Sequence, residues 1–188
     1  MKKLILLLTL GLITTADAQT TNAPKTYFEA FDATADAVIV KGMSSIGVLS
    51  SQTTYPIEVR AEELTNLQTS NKVYAVSIRT RISHQLLVDY IDYDELDGLI
   101  RGIQSISQAN HFITQLDNFD AAFRTRSGLS IVKISSGNNS SGNKITIGIR
   151  PGADGLQRNV VEPVVLDDLG RLISAAKAKI DVIAQSNQ

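Results

Sequence analysis

Two groups of short β-prone segments, each followed by an amphipathic helical segment, constrain the fold of this 188-residue chain most strongly. In residues 73–82 the even-numbered positions are mostly apolar, whereas Arg79 and Arg81 occupy odd positions. This alternation predicts a strand with one face toward a core and the two arginines on the other face. The period then changes. From Leu96 to Ile106 apolar residues recur every three or four positions, which predicts a helix of about four turns.

The same order of segments occurs in both halves of the chain. The first group of predicted strands comprises residues 37–41, 46–49, 55–61, 73–82 and 86–91, with a hairpin turn predicted at 42–45. The second comprises residues 111–115, 121–126, 129–134, 144–150 and 159–165, followed by a second amphipathic helix with apolar residues from Leu166 to Ile183. Runs of strands closed by helices predict an α+β fold with antiparallel meanders rather than alternating βαβ units.

Two pairs of matching segments favour an internal duplication of this strands-then-helix unit. Residues 94–100 match residues 167–173 at an offset of 73, and residues 76–79 match residues 147–150 at an offset of 71. Chance is the competing explanation, because such short patterns are common. The order of elements resembles the ββββα repeats of the Whirly and PUR-alpha single-stranded nucleic-acid binders, and this resemblance concerns the fold rather than the function.

The first eighteen residues have the layout of a cleavable secretory signal. Two lysines follow the initiator methionine, an uncharged apolar run comes next, and Ala16 and Ala18 occupy the positions that signal peptidase reads. We therefore predict a signal peptide at residues 1–18, cleavage before Gln19, a polar leader at 19–26 and a single domain at 27–188. Export to a bacterial periplasm or to the medium is expected.

Composition excludes several classes of function. Removal of residues 1–18 leaves 16 basic and 18 acidic side chains, a formal charge of −2, so no global field would attract nucleic acid. The absence of cysteine excludes thiol enzymes, cysteine-ligated metals and a lipidated N-terminal cysteine. His84 and His111 lack the spacing of a metal motif. We predict no cofactor, no metal and no transmembrane segment after signal removal.

Acidic residues cluster just before both predicted helices. The first cluster spans residues 92–97, and Asp167 and Asp168 form the second. Carboxylates at a helix start bind free N–H groups and oppose the positive end of the helix dipole, so we predict that these residues cap the helices. The competing hypothesis is a hydrolase of a cell-wall polymer that uses the carboxylates of Asp89, Asp92 or Asp94.

The tripeptide Arg-Thr-Arg occurs once in each half, at residues 79–81 and 124–126. Residues two apart in a strand share a face, so each segment is predicted to project two guanidiniums outward. If the two segments lay close together, Arg79, Arg81, Arg124 and Arg126 would form a binding site for carboxylate or phosphate groups. The alternative is that these arginines form cross-strand ion pairs with Glu58, Glu62 or Glu63.

These observations predict a soluble, exported, non-catalytic binding or interaction protein. The anionic groups of an envelope glycan, or another envelope protein, are the expected partners, with no catalytic residue assigned. A carboxylate hydrolase is the alternative from a different class, and a structural subunit that assembles through its sheet edges is a third. Nucleic acid is not expected as a partner, because the chain has only five Tyr, five Phe and no Trp to stack bases.

Overall fold

A computed structural model describes residues 25–50, 55–82, 84–110, 112–136, 144–149, 157–161 and 163–186. The predicted signal peptide, most of the leader and His111 lie outside the described residues. Among the helices described, none is long and apolar enough to cross a membrane.

The first half forms a four-stranded antiparallel sheet, here called sheet 1. Its strands follow one another in chain order: β1 (Ile39–Leu49), β2 (Ile57–Asn66), β3 (Lys72–Ile82) and β4 (Gln85–Asp92). A short helix, α1 (Tyr27–Asp32), precedes the sheet, and a single 3-10 turn (Tyr93–Glu95) leads from β4 into the long helix α2 (Leu96–Gln108).

The second half repeats this order of elements. Sheet 2 contains β5 (Asn118–Arg124), β6 (Ser130–Ser136), β7 (Lys144–Ile149) and β8 (Gln157–Val161), again antiparallel and in chain order, and α3 (Pro163–Gln185) follows. The structure therefore confirms the predicted α+β fold with antiparallel sheets and two long helices. Duplication of the sequence itself remains a hypothesis.

Each long helix packs on the sheet of the other half. A Cβ added at Gly47 of β1 would lie 2.7 Å from Leu172 of α3, and one added at Gly102 of α2 would lie 2.3 Å from the ring of Phe123 of β5. These two glycines allow the backbones to approach closely. A continuous apolar core joins both sheets and both helices, with fully buried residues such as Ile78, Leu99, Ile147 and Ile173.

Helix α1 covers one end of the outer face of sheet 1, the face turned away from this core. Thr26 accepts a hydrogen bond from Glu29 N, and the Glu29 carboxylate accepts one from Thr26 N, which forms a capping box. Phe28 is 1% exposed and stacks on Tyr90, with 5.0 Å between the ring centroids. This helix was not predicted, although Thr26 followed three residues later by Glu29 is a known helix start signal.

Residues 42–45 do not form the predicted hairpin turn. They belong to the single strand β1, where each residue from Gly42 to Ser45 pairs with a residue of β2. The irregularity is a bulge between Ser45 and Gly47, which changes the register without reversing the chain. The two apolar runs separated by glycine and serines therefore form one bulged strand, because β2 offers hydrogen-bond partners along the whole length of β1.

Other predicted boundaries also need correction. Residues 112–116 form turns rather than a strand, since Asn110 Oδ1 accepts from Phe112 N and Thr114 Oγ1 accepts from Leu116 N. The predicted strand at 159–165 ends at Val161, and α3 already begins at Pro163, a residue that suits the first helical position. The predicted strand at 73–82 and both long helices are confirmed.

Candidate functional site

A cavity of about 460 Å³ opens on the outer face of sheet 1, at the end that α1 leaves uncovered. The strand register explains its composition. Val48 of β1, Glu58 of β2, Arg79 of β3 and Val88 of β4 form one row across the sheet, with side chains on the same face. Arg60 belongs to the next row toward α1, and Arg81 and Leu86 pair in the next row away from it.

The Glu58 carboxylate in this cavity is already engaged. It accepts hydrogen bonds from Arg60 Nε at 2.7 Å and from Ser45 Oγ at 3.0 Å. The hydrogen bond from Arg60 lowers the pKa of Glu58 below its ordinary value, so this carboxylate stays ionised at neutral pH. Arg60 is thereby neutralised by a neighbour two residues away on its own strand.

Arg79 and Arg81 have no such partner. Among the described residues neither forms an ion pair, and Arg79 Nε is buried without a hydrogen-bond acceptor. A buried donor left unpaired typically costs about 1–3 kcal/mol. The cavity therefore has two uncompensated guanidiniums, of which the inner one lacks an acceptor for its Nε–H.

The alternative prediction, in which glutamates of β2 form ion pairs with these arginines, is wrong, because each of the three glutamates pairs with another side chain. Glu62 is 1% exposed and pairs with Lys41 Nζ at 2.8 Å, and Glu63 pairs with Lys72 Nζ at 3.0 Å. Glu58 lies directly opposite Arg79 in the register, yet its short contact is with Arg60. Arg79 acts on Glu58 only through its charge, which also lowers the pKa of that carboxyl.

The two Arg-Thr-Arg segments do not combine into one patch. Arg126 lies in the turn after β5 rather than in a strand, and it contacts Asp94, Glu95 and Asp92, the last at 3.6 Å. Asp92 pairs with Ala75, four residues from Arg79, which corresponds to about 13 Å along β3. Arg124 is exposed on β5 of sheet 2. Of the four predicted arginines, only Arg79 and Arg81 line the cavity.

The acidic cluster before α2 does not cap that helix as predicted. Asp92 instead accepts hydrogen bonds from Tyr27 N at 2.8 Å and Phe28 N at 2.9 Å, so it caps α1 from a distant strand. Glu95 at the start of α2 makes no side-chain cap and holds Arg126. The reason is tertiary: α1 and the β5–β6 turn bring unpaired N–H groups and a guanidinium to these carboxylates.

Asp167 and Asp168 also lie elsewhere than predicted, because α3 begins four residues earlier, at Pro163. They occupy the second turn of the helix, where Asp167 accepts from Ser107 Oγ at 3.0 Å and Asp168 pairs with Arg171. The predicted capping of α3 by these two residues is therefore wrong.

The carboxylates considered for hydrolysis have defined structural surroundings. Asp89 is 4% exposed on the core side of β4, opposite Ile78, and Asp92 and Asp94 make the contacts described above. Within the described part of the chain, no group of three or more His, Asp or Glu side chains could hold a metal ion. His84 lies exposed in the turn between β3 and β4.

The apolar rim of the cavity and the role of Arg60 were not predicted. Val48 is 54% exposed and Leu86 is 45% exposed, and both flank the arginines together with Pro56. Pro56 is held by a hydrogen bond from Thr80 Oγ1 to its carbonyl, 2.8 Å long. Only the strand register brings Glu58 and Arg60 beside Arg79.

The fold and the cavity together define an α+β protein with an arginine-lined site on an open sheet face. Comparisons with known protein families, with curated proteins and with solved structures found no match for this chain.

Proposed function

We propose that this protein is an exported, non-catalytic binding protein that holds an anionic ligand against Arg79 and Arg81. The ligand is an anionic glycan or another anionic component of the cell envelope. The observation that carries the proposal is the pair of guanidiniums of Arg79 and Arg81, which line one cavity and form no ion pair among the described residues. An anion placed there would accept charge-assisted hydrogen bonds from both side chains.

The charge and size of the cavity support binding of a small group rather than of an extended polyanion. Three guanidiniums face one carboxylate, a local excess of two positive charges, while the chain as a whole is slightly acidic. A volume of about 460 Å³ falls within the range of small-ligand pockets. An anionic terminus or a single substituent of a larger envelope molecule would fit this space.

Export is proposed from the sequence of residues 1–18. Mass spectrometry of the protein secreted by its natural host should give a chain that begins at Gln19, intact or cyclised. An exported chain that still carries Met1 would contradict this part of the proposal.

Binding can be tested with an anionic panel and matched charge variants. Titration calorimetry with oligogalacturonate and with lipopolysaccharide should detect binding that weakens as salt concentration rises. The double variant Arg79→Gln/Arg81→Gln should lose most of this binding, since each lost charge-assisted bond lowers affinity about tenfold or more.

The control is Arg101→Gln/Arg124→Gln, which removes two charges at exposed positions outside the cavity. Equal losses in both double variants would show that only the net charge matters. Binding by the natural protein that survives in the Arg79→Gln/Arg81→Gln variant would refute the assignment of the site.

A further inference from the structure

The cavity on sheet 1 has a polar floor and apolar sides. Its charged groups lie on the two central strands, whereas Val48 from β1 and Leu86 from β4 stand on either side, about half exposed. Neighbouring strands are about 4.8 Å apart, so these apolar side chains lie within one or two strand spacings of Arg79 and Arg81. A ligand held by the arginines would therefore contact apolar surface as well.

The spacing of Arg79 and Arg81 suits one small anionic group. They are two residues apart on the same face of β3, which corresponds to about 6.6 Å between their Cα atoms. Long side chains at this distance can converge on a single acceptor. Arg79 is half-buried and Arg81 is exposed, and the planar N–H groups of a guanidinium match the oxygens of a carboxylate or phosphate.

Glu58 offsets only part of the positive charge in the cavity. It lies directly opposite Arg79, with Cβ atoms expected about 5 Å apart, but it is paired with Arg60. Arg79 and Arg81 therefore leave a local excess of two positive charges, and their attraction for an anion exceeds the repulsion from Glu58. A carboxylate carries one charge and a phosphate monoester nearly two at neutral pH, so either group suits this excess.

We infer that the cavity binds a small amphiphilic anion, in which a carboxylate or phosphate head is joined to an aliphatic body. This inference rests on the proposed function, since it takes Arg79 and Arg81 as the anion site. The anionic head lies on the two guanidiniums, and the aliphatic body lies over Val48 or Leu86.

Four probes separate the contributions of head and tail: octanoate, acetate, octanol and octyl phosphate, each titrated into the full chain with affinity measured by NMR. Octanoate should bind at least about tenfold more tightly than acetate, because several methylenes leave water. It should also bind about tenfold more tightly than octanol, which lacks the charge. Octyl phosphate should bind at least as tightly as octanoate, since it brings a second negative charge to the two guanidiniums.

Variants test the named residues. Arg79→Gln should weaken octanoate binding about tenfold or more, and the double variant Val48→Ser/Leu86→Ser should weaken octanoate but not acetate. Glu58→Gln should strengthen the binding of both octanoate and octyl phosphate, because it removes the negative charge beside Arg79. The control variants are Arg124→Gln, and Leu67→Ser at a leucine that is 59% exposed in the β2–β3 turn.

The outcomes distinguish this inference from the proposed function. If oligogalacturonate or lipopolysaccharide binds through Arg79 and Arg81 but octanoate does not, the inference is overturned and the proposed function stands. If octanoate binds equally in the natural and Arg79→Gln proteins, or if it binds no more tightly than acetate, the inference is overturned. If no anion binds, both proposals fall.

Discussion

Replacement of Asp92 by alanine should release helix α1 from sheet 1. The Asp92 carboxylate is 3% exposed and accepts hydrogen bonds from the first two N–H groups of α1, those of Tyr27 and Phe28. It also lies 3.6 Å from Arg126, whose guanidinium stacks over the Tyr27 ring at 4.8 Å. One carboxylate thus joins α1 to the end of β4 and to the turn after β5.

The expected destabilisation follows from these contacts. A hydrogen bond to a charged group contributes about 1.5–3 kcal/mol, and the loss of a helix cap typically costs about 0.5–2 kcal/mol. Release of α1 would also expose Phe28, whose burial contributes about 1.5–3 kcal/mol. These contributions overlap, because the helix can undock only once. We therefore expect Asp92→Ala to lower the free energy of unfolding by about 2–4 kcal/mol, and Asp92→Asn, which keeps one acceptor oxygen, by less.

Urea denaturation and amide hydrogen exchange measure this effect. In Asp92→Ala the amides of Tyr27 and Phe28 should lose their protection from exchange. The amides of β3 should lose no more protection than the drop in the global free energy of unfolding requires. The control is Asp94→Ala, since that carboxylate is 63% exposed and its ion pair with Arg126 should contribute no more than about 1 kcal/mol.

A double-mutant cycle makes the reasoning refutable. Phe28→Ala alone should cost about 3–5 kcal/mol, and the double variant Asp92→Ala/Phe28→Ala should cost clearly less than the sum of the two single changes. Full additivity, or an Asp92→Ala protein as stable as Asp94→Ala, would show that Asp92 does not hold α1.

Three further substitutions should change the free energy of unfolding, measured in each case by urea denaturation: one should raise it, one should lower it, and one should lower it in a pH-dependent way. Gly98→Ala should stabilise the protein by up to about 1 kcal/mol, because alanine favours the helix and nothing lies within 4 Å of the added Cβ in the first turn of α2; a loss of stability would contradict this. Gly102→Ala should destabilise it by about 1–3 kcal/mol, because its Cβ would overlap the Phe123 ring, and a neutral result would show that the ring can move away. Lys41→Met should cost about 3–5 kcal/mol at pH 7, because buried Glu62 loses its cation. Burial opposes the charge on Lys41, but hydrogen bonds to Glu62 and Tyr90 raise its pKa above the ordinary 10.5. The difference in stability between the natural protein and Lys41→Met should therefore persist to about pH 10 and shrink only at higher pH. A difference that vanishes below pH 10 would count against the ion pair.

Local periodicity predicted the elements whose surroundings are uniform along their length. Residues 73–82 alternate because the even positions of β3 face one continuous core, and the structure has this strand at Lys72–Ile82. Helix α2 likewise keeps one apolar stripe against sheet 2 and α3, so its spacing was informative. The odd positions of β3 face two environments, α1 and the open cavity. Ser77 is consequently fully buried although it precedes the outward-facing arginines.

The segments that were wrongly predicted are those whose conformation depends on a distant partner. Residues 42–45 have turn-like composition, but β2 pairs with all of them. Asp92 lies shortly before α2 in the sequence, where a cap is expected. Its carboxylate instead accepts hydrogen bonds from amides that are 64 and 65 residues earlier in the chain. A side-chain oxygen binds whichever donor the fold brings within about 3 Å, and sequence neighbours have no priority over distant ones.

The same distinction applies to the candidate site. Strand alternation alone determined that Arg79 and Arg81 share a face and that Glu58 and Arg60 share another strand's face. Tertiary structure decided which of these charges remain unpaired. The register places Glu58 opposite Arg79, but Glu58 forms its ion pair with Arg60. The other two glutamates of β2 pair with Lys41 and Lys72. It also carried Arg126 to the acidic end of β4, away from the cavity. Periodicity follows from backbone geometry within one segment, whereas the partner of a charge follows from the distances between segments, and only the folded chain sets those distances.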